Sequence, residues 1–177
     1  MKNITIHIDG KEITAQISDE AAAELLQEDG PRTGYERVDK NETYYHTSMS
    51  GGAFANKDEK INIDDMTYKF ADYHSDRVIA ENNARADKLV RQIRQWQALN
   101  DEPVNWNCDN GKYAIYYACD KNQLGIINVD NMRDLGQIYF SSAEKTIEAL
   151  EIFRSELTWY FTEYRQRLDE PERKKEE

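Results

Sequence analysis

The sequence is poor in the residues that most often mark chemistry. It has two cysteines, three histidines, three prolines and eight glycines among 177 residues. His7, His46 and His74 stand in three separate segments, and neither Cys108 nor Cys119 has a histidine near it, so the close spacing of zinc ligands is missing. The glycines never form G-x-G-x-x-G, and Gly51-Gly52 is not followed by G-K-[ST], which argues against nucleotide hydrolysis. Ser48-Met49-Ser50-Gly51-Gly52 lacks the G-x-S-x-G elbow and reads as a flexible turn. No catalytic residue, metal or cofactor is expected from these patterns, and the chain reads as a non-enzyme. There is no apolar run near the length of a membrane span, and the mean hydropathy of -0.90 points the same way. The opening MKNITIHIDG has no apolar signal core, so the expected setting is the cytoplasm, with both cysteines as free, buried thiols.

Acid, by contrast, is in surplus. The 34 Asp and Glu outnumber 23 Lys and Arg, for a net charge of -11 and an isoelectric point near 4.8. Such a balance opposes broad adhesion to phosphate backbones, which depends on Lys and Arg neutralising phosphates. Residues 75–100 are the exception, because Arg77, Arg85, Lys88, Arg91 and Arg94 outnumber Asp76, Glu81 and Asp87.

Periodicity predicts an α+β chain in four parts. Residues 1–33 read as a hairpin about Asp9-Gly10 followed by a helix from Ser18 through DEAAAELLQ, stopped by Asp29-Gly30-Pro31. Residues 34–103 read as a β-meander, with strands over 35–38 and 43–48, then a loop with one short strand, then a long helix from Ser75. Residues 104–167 repeat that order, with strands over 112–119, 124–129 and 136–140 and a helix opened by the S-x-x-E box Ser141-Ser142-Ala143-Glu144. Residues 168–177 read as a charged mobile tail. Tyr73-His74-Ser75 lines up with Tyr139-Phe140-Ser141, which either a duplication or a shared topology would explain.

Three features suggest interaction. Glu144, Glu148 and Glu151 share one face of the last helix over about 10 Å, a row that can imitate spaced phosphates or simply suit the helix dipole. Trp159-Tyr160-Phe161 cannot all face one core, since helical neighbours differ by about 100°, so Trp159 or Tyr160 is expected at the surface as a partner anchor. Arg85, Lys88 and Arg91 spiral around the 75–100 helix, either solvated beside acids or touching nucleic acid.

The segments Ile6-His7-Ile8-Asp9-Gly10-Lys11-Glu12-Ile13, Gly34-Tyr35-Glu36-Arg37-Val38, Ala80-Glu81-Asn82-Asn83-Ala84-Arg85-Ala86-Asp87, Gly136-Gln137-Ile138-Tyr139-Phe140-Ser141-Ser142 and Trp159-Tyr160-Phe161-Thr162-Glu163-Tyr164 carry a likeness that covers most of the chain. It resembles a small accessory protein family of phages and integrative elements of low-GC Gram-positive bacteria. The resemblance implies a mobile-element setting, in which small acidic proteins neutralise host defence. An anti-CRISPR inhibitor that binds a Cas nuclease is the leading expectation. A self-assembling structural or replication accessory protein of the element, and a nucleic-acid-contacting module using the 75–100 helix, are the alternatives.

Overall fold

The computed structural model describes residues 2–8, 11–18, 32–107, 111–130 and 132–170, and divides the chain into two units, 1–32 and 33–177. In the first, β1 (Lys2–Ile8) and β2 (Lys11–Ile17) pair antiparallel with Ile8 opposite Lys11 and Ile6 opposite Ile13. That register suits a two-residue turn. Asp9, Gly10 and the helix expected from Ser18 lie outside the described residues.

The second unit is α+β and contains two similar halves. In one, β3 (Thr43–Thr47) pairs antiparallel with β4 (Ala53–Lys57) across the Ser48–Gly52 turn, closed by the Ser48 amide donating to the Gly52 carbonyl at 2.7 Å. On the other side of β3, Tyr45 and His74 exchange both main-chain hydrogen bonds at 2.8 Å. A long helix then starts. In the other half, β5 (Lys112–Ala118) lies between β6 (Gln123–Val129) and the two-residue β7 (Tyr139–Phe140), and again a long helix follows. His74, bridged to Tyr45 of β3, thus stands where Phe140, paired with Tyr113 of β5, stands in the other half.

Local chemistry accounts for the helix ends. Helix α1 (Asn62–Lys69) begins where the buried Asp64 carboxylate accepts the amides of Glu59 (2.9 Å) and Ile61 (3.2 Å) and the Tyr44 hydroxyl (3.1 Å). Helix α2 (Arg77–Asn100) is capped by Asp76, whose Oδ1 accepts the Ile79 amide at 2.9 Å. Helix α3 (Ala143–Thr162) is capped by Ser142, whose Oγ accepts the Lys145 amide at 3.2 Å. The expected cap was one residue earlier, but Ser141 is held by Asp101, which accepts both its hydroxyl and its amide.

Helices α2 and α3 pack on each other and on the sheets. Leu89, Ile93, Ile115, Leu124, Phe140, Ala149, Leu150 and Leu157 form one core cluster. The first half is held more by aromatic and polar contacts: Tyr44 stacks on Tyr73 at 4.2 Å, and Asp58, with no exposed surface, accepts from Arg37, Lys60 and the Tyr73 hydroxyl.

Several expectations need correction. Residues 35–38 are not a strand, because β4 reaches β3 through a much shorter connection; Arg37 turns to Asp58 and the Val38 amide to the Tyr73 hydroxyl. The segment 53–74, expected as a loop with one short strand, holds the short strand β4 and, unexpectedly, the helix α1. The 136–140 strand shrinks to Tyr139–Phe140, and α3 ends at Thr162, where the amides of Glu163 and Tyr164 both return to the Trp159 carbonyl. Cys119 is exposed, since β5 stops at Ala118 and leaves it in the turn; Cys108 lies outside the described residues. At the start of the segment read as a tail, the Leu168 amide donates to the Thr33 carbonyl at 2.9 Å.

Candidate interaction surface

Glu144, Glu148 and Glu151 do lie exposed on α3, but two of the three have cations beside them on the same helix. Lys145 Nζ meets Glu148 at 2.9 Å, and Arg154 pairs with Glu151, holding that carboxyl below the usual range. The bonds that Glu144 makes with its own amide and Ser142 lower its pKa as well. An uninterrupted acidic row is therefore reduced to a mixed face, which weakens its likeness to a phosphate backbone.

The aromatic anchor also moves. Trp159 is 8% exposed, with the Arg85 guanidinium 3.9 Å from its ring centre and the Tyr164 ring on another side at 5.6 Å. It is a core residue capped by a cation, not a surface anchor. Tyr160 is half-buried against Phe161 and Tyr164. Arg85 is spent on the same contact, since its Nε and Nη2 also form a bidentate pair with Glu156 at 2.8 and 2.9 Å, which raises its pKa and lowers that of the glutamate. Lys88 and Arg91 remain exposed beside the Ser48–Gly52 turn, where Arg91 Nη2 donates to the Met49 carbonyl at 3.1 Å.

The surface best suited to a partner lies on the loop between β6 and β7. The main chain there is pinned: the Asp134 amide donates to the Tyr139 hydroxyl at 2.7 Å, and Gln137 Nε2 reaches the Ile115 carbonyl at 3.3 Å. Gly136, with φ of +84°, permits the sharp turn between these anchors. Leu135 is consequently held fully in solvent at 106%, with Met132 at 63% nearby in the same loop. Arg133, between them in sequence, places its guanidinium 3.8 Å from the centre of the Trp106 ring, which is 44% exposed and edge-on to Tyr139. Buried Lys112 lies 5.9 Å from the same ring and donates to the Asp130 carbonyl at 2.7 Å.

Leu135 also stands at a pocket of about 280 Å³, lined by Leu89, Ile93, Ile115, Leu157 and Tyr160 among others. The pocket joins α2, α3 and β5 at the end of the main core. An exposed leucine lies at an apolar hollow, and the same loop supplies an Arg stacked on a half-exposed Trp, two of the residue types enriched at protein interfaces. Sequence reading missed Trp106, Arg133 and Leu135 because single residues in irregular loops carry no periodic signal.

Two further polar clusters are structural in their geometry. The Arg37 hydrogen bond, helped by the Tyr73 hydroxyl and opposed by burial, holds the Asp58 carboxyl well below the usual carboxylate range. Buried His74 and half-buried Asn83 join Tyr35 and Tyr164 in a hydrogen-bond network. Among the described residues, every buried side-chain nitrogen or oxygen has a hydrogen-bond partner, and no group of three or more His, Cys, Asp or Glu is placed to hold a metal ion. No described helix is long and apolar enough to cross a membrane. No protein-family model, curated protein or solved structure matches the chain.

Proposed function

We propose that this protein is a non-enzymatic factor of a mobile genetic element that binds and inhibits a host defence nuclease in the cytoplasm, with CRISPR effectors as the first class to test. The family resemblance supplies the setting. The observation that carries the binding reading is Leu135, held in water by a loop whose neighbours are tied down. A loop backbone held in that way loses little entropy when a partner covers the side chain it presents. Arg133 from the same loop, stacked on Trp106, supplies a further contact, and the mixed face of Glu144, Glu148 and Glu151 would separately oppose a basic groove. The test is binding of purified Cas nucleases, with and without guide, to the wild-type chain and to Leu135→Asp. Binding by the wild type that the variant loses supports the proposal, and absence of binding to every nuclease tried sinks it.

A second reading, self-assembly, is favoured by α1. Ile63, Met66 and Phe70, at i, i+3 and i+7, are all exposed, at 58%, 43% and 70%. Light scattering that gave a dimer dispersed by Met66→Lys would support this reading, and a monomer at all concentrations would reject it.

A further inference from the structure

His74 is 2% exposed, and both of its ring nitrogens are committed. Nδ1 lies 3.3 Å from the Tyr45 main-chain oxygen, which can only accept, so Nδ1 carries the proton. Nε2 is then a lone pair, and it accepts from Asn83 Nδ2 at 2.8 Å. The same amide nitrogen donates to the Tyr35 hydroxyl at 2.6 Å, and Asn83 Oδ1 accepts the Tyr164 hydroxyl at 2.7 Å. Asn82 Nδ2 adds a bond to the Arg165 carbonyl at 3.1 Å. Two chain segments, 33–36 and 163–168, are thus tied to α2 through one neutral imidazole and its asparagine.

The fold itself does not require this polar pair. Phe140 occupies the position of His74 in the other half, and Ala149 follows it at the same spacing along the helix as Asn83 follows His74. Phe140 and Ala149 are 1% and 0% exposed and belong to an apolar cluster. One architecture therefore accepts an apolar pair in one half and, in the other, a polar pair with one titratable ring.

We propose that His74 is an acid-operated latch: protonation of Nε2 turns its bond with Asn83 into a clash of two donors and releases the 163–168 segment from α2. The groups facing the ring are Tyr35 from the 33–36 segment at 5.0 Å between ring centres, the Tyr45 carbonyl from β3, Asp72 ahead of it, and Asp87 and Asn83 from α2, with Tyr164 behind Asn83. Burial lowers the histidine pKa and outweighs the Tyr45 carbonyl and the two aspartates, which favour the charged ring. Because the folded value lies below the ordinary one, the latch is complete above about pH 6.5 and weakens as the pH falls below it.

The test is NMR titration of the His74 ring together with hydrogen-exchange protection of the Leu168 amide, which donates to the Thr33 carbonyl. Leu168 protection should be lost progressively as the pH falls from 7.5 to 5.5, because the folded histidine value lies below the ordinary one. Asn83→Asp puts an acceptor opposite Nε2; it should lift the His74 pKa above its ordinary value and keep Leu168 protected at pH 5.5. His74→Phe with Asn83→Ala copies the other half and should remove the pH dependence. If the asparagine amide turns over to receive the proton instead, wild-type protection will not change with pH and the latch is refuted. Asn83→Asp opening in acid just as the wild type does would refute it equally.

Discussion

Truncating Phe140 to alanine tests the packing argument most stringently. The ring is 1% exposed, edge-on to Trp96 with centres 6.3 Å apart, and surrounded by Leu89, Ile115, Ala149 and Leu150. Burying a phenylalanine removes roughly 150–250 Å² from water, worth at most about 4–6 kcal/mol at about 25 cal/mol per Å². Phe→Ala changes in cores cost about 3–5 kcal/mol, more where the hole cannot collapse. Phe140 also lines the pocket of about 280 Å³, so the vacated space would merge with it. A loss of about 4 kcal/mol follows, or about 12 °C in Tm for a unit of this length. Urea unfolding followed by tryptophan fluorescence reads the right unit, because Trp96, Trp106 and Trp159 all lie in it. Phe140→Leu should cost only about 1 kcal/mol. A loss below about 1.5 kcal/mol for the alanine variant would show that the two halves do not meet on this ring.

Other consequences can be checked with the same unfolding assay. Gly34 is buried with φ of +94°, and a Cβ there would come within 2.8 Å of Ile79 Cγ1, so Gly34→Ala should cost about 2 kcal/mol, whereas Gly52→Ala, with open space around it, should be neutral. Burial pushes the Glu36 carboxyl up, but hydrogen bonds from the Thr33 hydroxyl and the amides of Thr33 and Gly34 win and lower its pKa to about 2. Its folded value being depressed, its contribution is full above about pH 4.5 and lost as the pH falls toward 2, so Glu36→Gln should flatten the acid limb of a stability profile over that window. Arg85→Ala should redden Trp159 emission by admitting water, yet cost less than about 1 kcal/mol, because both partners of the Arg85–Glu156 pair are 40% exposed.

The long helices were legible because Ile79, Val90 and Ile93, or Leu150 and Leu157, recur at helical spacing, although their starts were read at Ser75 and Ser141, one residue before the caps Asp76 and Ser142. The 53–74 region was not, since β4 and α1 are too short for a period to emerge, and α1 depends on Asp64 meeting Tyr44 from a distant strand. Tyr35 to Val38 alternates like a strand, but alternation cannot show that Ser48–Gly52 gives β3 a nearer partner. Helical neighbours differ by about 100°, yet Trp159 stays buried because a second helix supplies Arg85 as its cover, which one helix's periodicity cannot reveal. Leu135 and Trp106 became notable only once the loop anchors and the Arg133 stack were in place.

DNA cleavage by guide-loaded Cas nucleases, titrated with this protein, bears most directly on the proposed function. Wild type should inhibit cleavage by at least one effector. Leu135→Asp should raise the concentration needed by about tenfold to a hundredfold, since burying one leucine is worth about 1.5–3 kcal/mol, and Trp106→Ala should act in the same direction. Leu135→Asp should leave Tm unchanged, because Leu135 is fully exposed, whereas Trp106→Ala also removes the ring's contacts with Tyr139 and Arg133 and should lower Tm somewhat. Cleavage untouched by the wild type, or inhibited equally by Leu135→Asp, would contradict the account.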